Sequence, residues 1–111
     1  MKKLFRNYNF EFDKNDKKIL TSFCKQIIKQ AENDEKLFAE SKAFKSILEK
    51  LNNSSDIVKL TKDEFFRLKN QIQENIKFIK SRLTKVWFIK KWLYKSLQSQ
   101  YTLIYEKYFN D

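Results

Sequence analysis

The sequence predicts an all-α fold, a small antiparallel bundle of four helices preceded by an extended aromatic N-terminal arm. Three observations carry the class. The 111 residues include no glycine and no proline. Tight I′ and II′ hairpins therefore lack the residues that reach positive φ, whereas helix interiors need neither type. Apolar residues recur at i, i+3 and i+4 along most of the chain. Finally, Thr61-Lys62-Asp63-Glu64 has the form of a capping box, in which the threonine caps a helix and the glutamate reaches back to its backbone N–H.

Residues 1–12 set Phe5, Tyr8, Phe10 and Phe12 among polar neighbours, alternating at Phe10-Glu11-Phe12. This reads as an arm that lays rings onto the core, with room for a short strand. Asp13 or Asn15 can cap a first helix over 14–31, because a side-chain oxygen there accepts from free first-turn N–H groups. Its stripe is Ile19, Leu20, Phe23, Cys24, Ile27, Ile28 and Ala31. The polar run Glu32-Asn33-Asp34-Glu35 interrupts the stripe. A second helix over 34–51, capped by Asn33 or Asp34, is expected to bury Leu37, Phe38, Phe44, Ile47, Leu48 and Leu51. At about 100° per residue the apolar face jumps by roughly 120° between the two, so a break is expected there. Asn52-Asn53-Ser54-Ser55-Asp56 reads as a loop and Ile57–Leu60 as a short extended lead-in. The third helix, over 61–82, starts at the capping box, with Leu60 and Phe65 placed as a hydrophobic staple.

Phe65, Leu68, Ile72, Ile76, Ile79 and Leu83 share one angular phase with Val86, Leu93, Leu97, Tyr101, Ile104 and Tyr108. Two architectures satisfy it. In the first, the chain turns near Ser81–Lys85 and a fourth helix runs over 85–109. In the second there are three helices, the last a long kinked one of about 65–70 Å that dimerises to cover its stripe. Phe78, Phe88, Ile89 and Trp92 lie off the stripe, which a hairpin or a dimer accommodates and an isolated rod does not. The hairpin is the expectation. With 41% hydrophobic and 16% aromatic residues, one domain spanning 1–111 has the material for a modest core without metal or disulfide.

The missing residue types exclude chemistry. There is no histidine, one cysteine and no glycine. Histidine-based nucleophile systems, a conventional zinc site, the P-loop and the dinucleotide fingerprint are therefore all unwritable. Cys24 lies in the first helix's apolar stripe and reads as a small core residue. Asp13, Asp16, Asp63 and Glu64 sit at predicted helix starts, where the helix dipole favours acids. Glu32, Asp34, Glu35 and Glu40 read as a solvated turn. The expectation is a protein that is not an enzyme, with no catalytic residues, cofactor, metal or small-molecule substrate. The basic start lacks a following apolar segment and no run approaches the ~20 apolar residues of a membrane span. A cytoplasmic setting is expected.

Net charge is +10 and the isoelectric point 9.7, but lysine abundance here accompanies Asn, Ile, Phe and Tyr, all residues of AT-rich codons. The distribution is more telling. No acid stands between Glu74 and Glu106, an interval holding Lys77, Lys80, Arg82, Lys85, Lys90, Lys91 and Lys95 together with Trp87, Phe88 and Trp92. Codon bias raises lysine everywhere; it does not clear acids from one stretch. On a continuous helix Lys77, Lys80, Lys91 and Lys95 would share an arc of about 60°, with Phe88 and Trp92 beside it.

Three readings compete for this segment. Lysines can neutralise phosphates while aromatics stack on unpaired bases, as in contact with RNA, DNA or the ribosome. The segment can lie on an anionic membrane, the least favoured reading. Or Trp87 and Trp92 anchor the core, a protein partner or a homodimer, and the lysines form an ordinary solvated face. No residue pattern matches a family motif. Bacteriocin immunity proteins and ribosome-associated factors include small basic helical bundles, and the chain is similar to them in size and class alone. The expected function is a non-catalytic binding module with 77–95 as its working surface.

Overall fold

The computed structural model describes residues 8–53, 57–83 and 88–109, and the side chains of all of these except 83 and 88–94. Phe5 of the arm, residues 54–56 of the predicted loop and residues 84–87 at the predicted turn lie outside the described residues. In chain order the elements are β1 (Tyr8–Phe10), α1 (Lys14–Ala31), a 3₁₀ turn (Glu35–Leu37), α2 (Phe38–Asn53), β2 (Val58–Leu60), α3 (Lys62–Leu83), α4 (Phe88–Ile104) and a π-helical turn (Tyr105–Phe109). The class is all-α, with four α-helices and one two-stranded sheet among the described residues. Two compact units divide within α3, one ending at Leu68 and the other beginning at Lys69.

In the first unit, α1 begins where a carboxylate can stand in for a missing carbonyl. Asp13 is extended (φ −71°, ψ 168°) and its Oδ1 accepts from the Asp16 N–H at 2.7 Å. Asn15 is one residue inside the helix. The predicted stripe is buried at Leu20, Phe23, Cys24, Ile27 and Ala31, with Ile19 and Ile28 half-buried at its edges. Phe23 meets Phe44 of α2 edge-on, ring centres 6.5 Å apart. The break between the two helices is real. Asp34 caps the 3₁₀ turn by accepting from Lys36 N–H at 3.0 Å.

That turn corrects one expectation. Leu37 and Phe38 are exposed, Phe38 at 69%, although the sequence pattern assigned both to the buried face. In the phase of Phe44, Ile47, Leu48 and Leu51, Phe38 sits roughly 130° off the stripe. Leu37 belongs to the tighter turn before α2 and does not follow its phase. Asn52 and Asn53, read as loop, are the last residues of α2.

The arm and the lead-in to α3 find each other across the sequence. β1 and β2 pair antiparallel, with Tyr8 opposite Leu60, Asn9 opposite Lys59 and Phe10 opposite Val58. Alternation puts Phe10, Val58 and Leu60 inside. The capping box follows directly. Thr61 N–H donates to Glu64 Oε1 at 2.9 Å, and Glu64 N–H donates to Thr61 Oγ1 at 3.1 Å. The same carboxylate accepts from Ser46 Oγ at 2.5 Å and Lys50 Nζ at 2.6 Å, both on α2. One residue on, the Phe65 ring stacks on Tyr8 at 4.3 Å and lies parallel to Phe10 at 5.9 Å. Arg67 adds a second tie to α2, bonding Asp63 at 2.9 Å and Glu40 at 2.5 Å.

In the second unit, Ile72 and Ile79 of α3 are buried, as are Tyr101, Ile104, Tyr108 and Phe109. Tyr101, Ile104 and Tyr108 keep helical spacing. Phe109 joins them because an i→i+5 turn advances less per residue than an α-helix, which over five residues brings it round toward Ile104's side. Gln73 Nε2 donates to Tyr105 Oη at 2.6 Å. In one straight helix those residues would stand about 48 Å apart, so the long-rod architecture is excluded. The chain doubles back between α3 and α4.

Burial alone pushes the Glu64 carboxyl up, but hydrogen bonds from Lys50, Ser46 and Thr61 and the Lys50 charge outweigh it and hold the group below its ordinary value. A carboxyl whose folded value lies lower stabilises fully above the unfolded range, near pH 4.3, and loses that contribution as pH falls through the folded value. Glu64→Ala strands three donors and is expected to cost about 2–3 kcal/mol in urea unfolding at pH 7. Glu64→Gln should cost less there, and its deficit relative to the parent should shrink between pH 5 and pH 3. A deficit independent of pH would contradict the charge-based role.

Candidate nucleic-acid interface

Three of the seven basic residues singled out in the sequence, Lys77, Lys80 and Arg82, stand on the last turns of α3, and all three are exposed. Lys95 is exposed on α4. Lys85 and Trp87 lie outside the described residues. Lys90, Lys91, Phe88 and Trp92 belong to the α4 backbone, and their side chains lie outside the described set. Because α3 ends at Leu83, the arc drawn for a continuous helix through Lys77, Lys80, Lys91 and Lys95 does not exist. What the structure brings together is smaller.

On α3 the exposed basic residues split about the buried Ile72–Ile79 face. At about 100° per residue, Lys77 and Lys80 fall along one edge and Arg82 roughly 160° from Lys80. Arg82 instead joins a residue not singled out as a contact. Its guanidinium lies 5.4 Å from the centre of the Phe78 ring, which is 55% exposed. A cation over an aromatic face contributes about 0.5–1 kcal/mol at an exposed site. It also holds the ring out as a flat apolar surface with positive charge on it.

On the Lys77 edge, a groove of about 290 Å³ runs between α3 and the C-terminal turn, lined by Gln73, Ile76, Lys77, Lys80, Thr102, Tyr105 and Glu106. Local periodicity gives no signal for this pairing, since its two walls are some thirty residues apart in the chain. The groove also qualifies the charge pattern. Glu106, which ends the acid-free interval in sequence, lines the same groove as Lys77 and Lys80, and Glu74 approaches Lys77 at 3.4 Å. Both members of that pair are largely exposed, so it neutralises little.

Among the described residues, the acidic groups around the α1–α2 turn are solvated or paired and the cysteine is buried. Glu32, Asp34 and Glu35 are exposed and Glu40 is paired with Arg67. No group of three or more potential metal ligands forms among the described residues. Cys24 is buried in the α1 stripe, and burial pushes its thiol up to about 12. Among the described residues no helix is long and apolar enough to cross a membrane. No protein-family model matches the chain, and no curated protein or solved structure matches it.

A thiol so placed has almost no thiolate at neutral pH. Ellman's reagent at pH 8 should leave Cys24 essentially unmodified in the native protein and react fully once denaturant is added. Rapid modification without denaturant would place Cys24 at an accessible site.

Proposed function

We propose that the protein is a non-catalytic, cytoplasmic binding module whose basic surface takes a polyanion, with single-stranded nucleic acid the form its chemistry suits best. The observation that carries this reading is the last two turns of α3. Lys77, Lys80 and Arg82 are exposed there together with Phe78, and Arg82 lies over the Phe78 ring. Exposed lysines supply phosphate neutralisation, and an exposed ring bearing a cation supplies a stacking platform that every base can use. An exposed ring stacks on unpaired bases, which a duplex keeps inside its own stack, so Phe78 favours a single strand. The absence of histidine and glycine and the inert setting of Cys24 support a role without catalysis. RNA, including exposed single strands on the ribosome, and single-stranded DNA are both within the reading.

Each phosphate neutralised on a single strand contributes about −0.7 to the slope of log K against log salt. Fluorescence anisotropy with twelve-residue oligo(U) and oligo(dU) should show binding at 50 mM salt that weakens steeply by 200 mM. Replacing Lys77, Lys80 and Lys95 with Gln should flatten the slope by about 2, and Phe78→Ala should weaken binding without changing it. No binding at 50 mM salt, or an unchanged slope in the triple variant, would overturn the proposal.

A further inference from the structure

The groove between α3 and the C-terminal turn carries more chemistry than charge neutralisation requires. Its volume of about 290 Å³ is near the lower end of ligand sites, roughly 300 Å³, and so suits a single nucleotide rather than a stacked run. Lys77 and Lys80 stand one turn apart on its α3 wall. Lys80 makes no ion pair among the described residues, and the exposed partner of Lys77 leaves that charge available.

Tyr105 faces them with an unspent proton. Gln73 Nε2 donates to the phenolic oxygen at 2.6 Å, so the hydroxyl's acceptor side is occupied while its own O–H remains to donate. A phosphate oxygen is a fitting acceptor. Glu106 acts in the opposite sense. Its ionised carboxylate accepts hydrogen bonds and donates none, and it repels a bare anion entering beside the lysines. The occupant that satisfies both walls carries a negative group and a hydrogen-bond donor close to it. Half-buried Ile76 offers an apolar patch between them, suited to the face of a sugar.

We propose that the groove formed by Gln73, Lys77, Lys80, Tyr105 and Glu106 is a single-ribonucleotide subsite. It holds one phosphate on Lys77, Lys80 and the Tyr105 hydroxyl and reads the ribose 2′-hydroxyl through Glu106. This rests on the basic surface being a nucleic-acid surface, and adds selection of RNA over DNA. The 2′-hydroxyl is the group that lets a protein make that distinction. A deoxy strand leaves the Glu106 carboxylate beside a phosphate with no donor to answer it.

The test is the affinity ratio between twelve-residue oligo(U) and oligo(dU), which differ only at the 2′ position, measured by anisotropy at one low salt concentration. The full chain is expected to bind oligo(U) about tenfold tighter, the scale of one hydrogen bond to a charged group. Glu106→Ala removes a repulsive charge and should tighten oligo(dU) binding while bringing the ratio to within about twofold of one. Tyr105→Phe, like Lys77→Gln with Lys80→Gln, removes a phosphate contact common to both strands and should weaken both ligands together, leaving the ratio in place. Should Tyr105→Phe fail to fold, as judged by circular dichroism, Glu106→Ala on an exposed side chain decides the question alone. Salt-dependent binding with equal affinity for the two strands, or a ratio that survives Glu106→Ala, overturns the subsite and leaves the basic surface standing. Absence of binding to either strand overturns both.

Discussion

The Glu64 carboxylate is the interaction on which the first compact unit depends. One oxygen accepts from the Thr61 N–H and Lys50 Nζ, the other from Ser46 Oγ. In doing so it ends the lead-in from β2, starts α3 and fastens α3 to α2. Phe65 follows at once and receives Tyr8 and Phe10 from β1. The arm, the sheet and two helices therefore meet within two residues of sequence. A carboxylate that is 8% exposed on its side chain is costly unless its oxygens are bonded. Here three donors answer it, so the arrangement is stable only when all its parts are in place. That mutual dependence is a physical source of cooperativity in a chain with neither disulfide nor glycine-built turn.

Local features were the legible ones. The first helix is written in its stripe and in Asp13, and the third in its capping box, because both signals act within four residues. The interruption at Glu32–Glu35 correctly marked a break. Leu37 and Phe38 depart from the pattern because hydrophobicity does not by itself give burial: Leu37 lies in a 3₁₀ turn and Phe38 stands off the stripe of the helix that follows. The β1–β2 pairing had only half a signal. Phe10-Glu11-Phe12 and Val58-Lys59-Leu60 each look extendable, but nothing local says that they are partners. The choice between a rod and a hairpin was likewise closed to periodicity, since both share one phase. Contacts between α3 and the C-terminal turn, the Gln73–Tyr105 bond and the groove they share, separate the two.

The basic segment shows the same division in electrostatic terms. Its clearance of acids between Glu74 and Glu106 is a property of sequence, and chain reversal changes what it means in space. Glu106 returns to the groove of Lys77 and Lys80, so one edge of α3 is mixed in sign, while Phe78 and Arg82 make a separate cationic ring surface. A charge run read along a chain gives the sign of a surface. It does not give which charges share a wall, and chemistry more selective than screening needs that placement.

Backbone amide shifts of the uniformly ¹⁵N-labelled full chain, followed during titration with twelve-residue oligo(U), test the central claim most directly. The expected result is a contiguous set of shifted resonances in 73–83 and 95–106, with those of α1 and α2 unmoved and the capping-box amides of Thr61 and Glu64 unchanged. Shifts centred on the α1–α2 junction around Phe38, or none at all with the chain demonstrably folded, would contradict it.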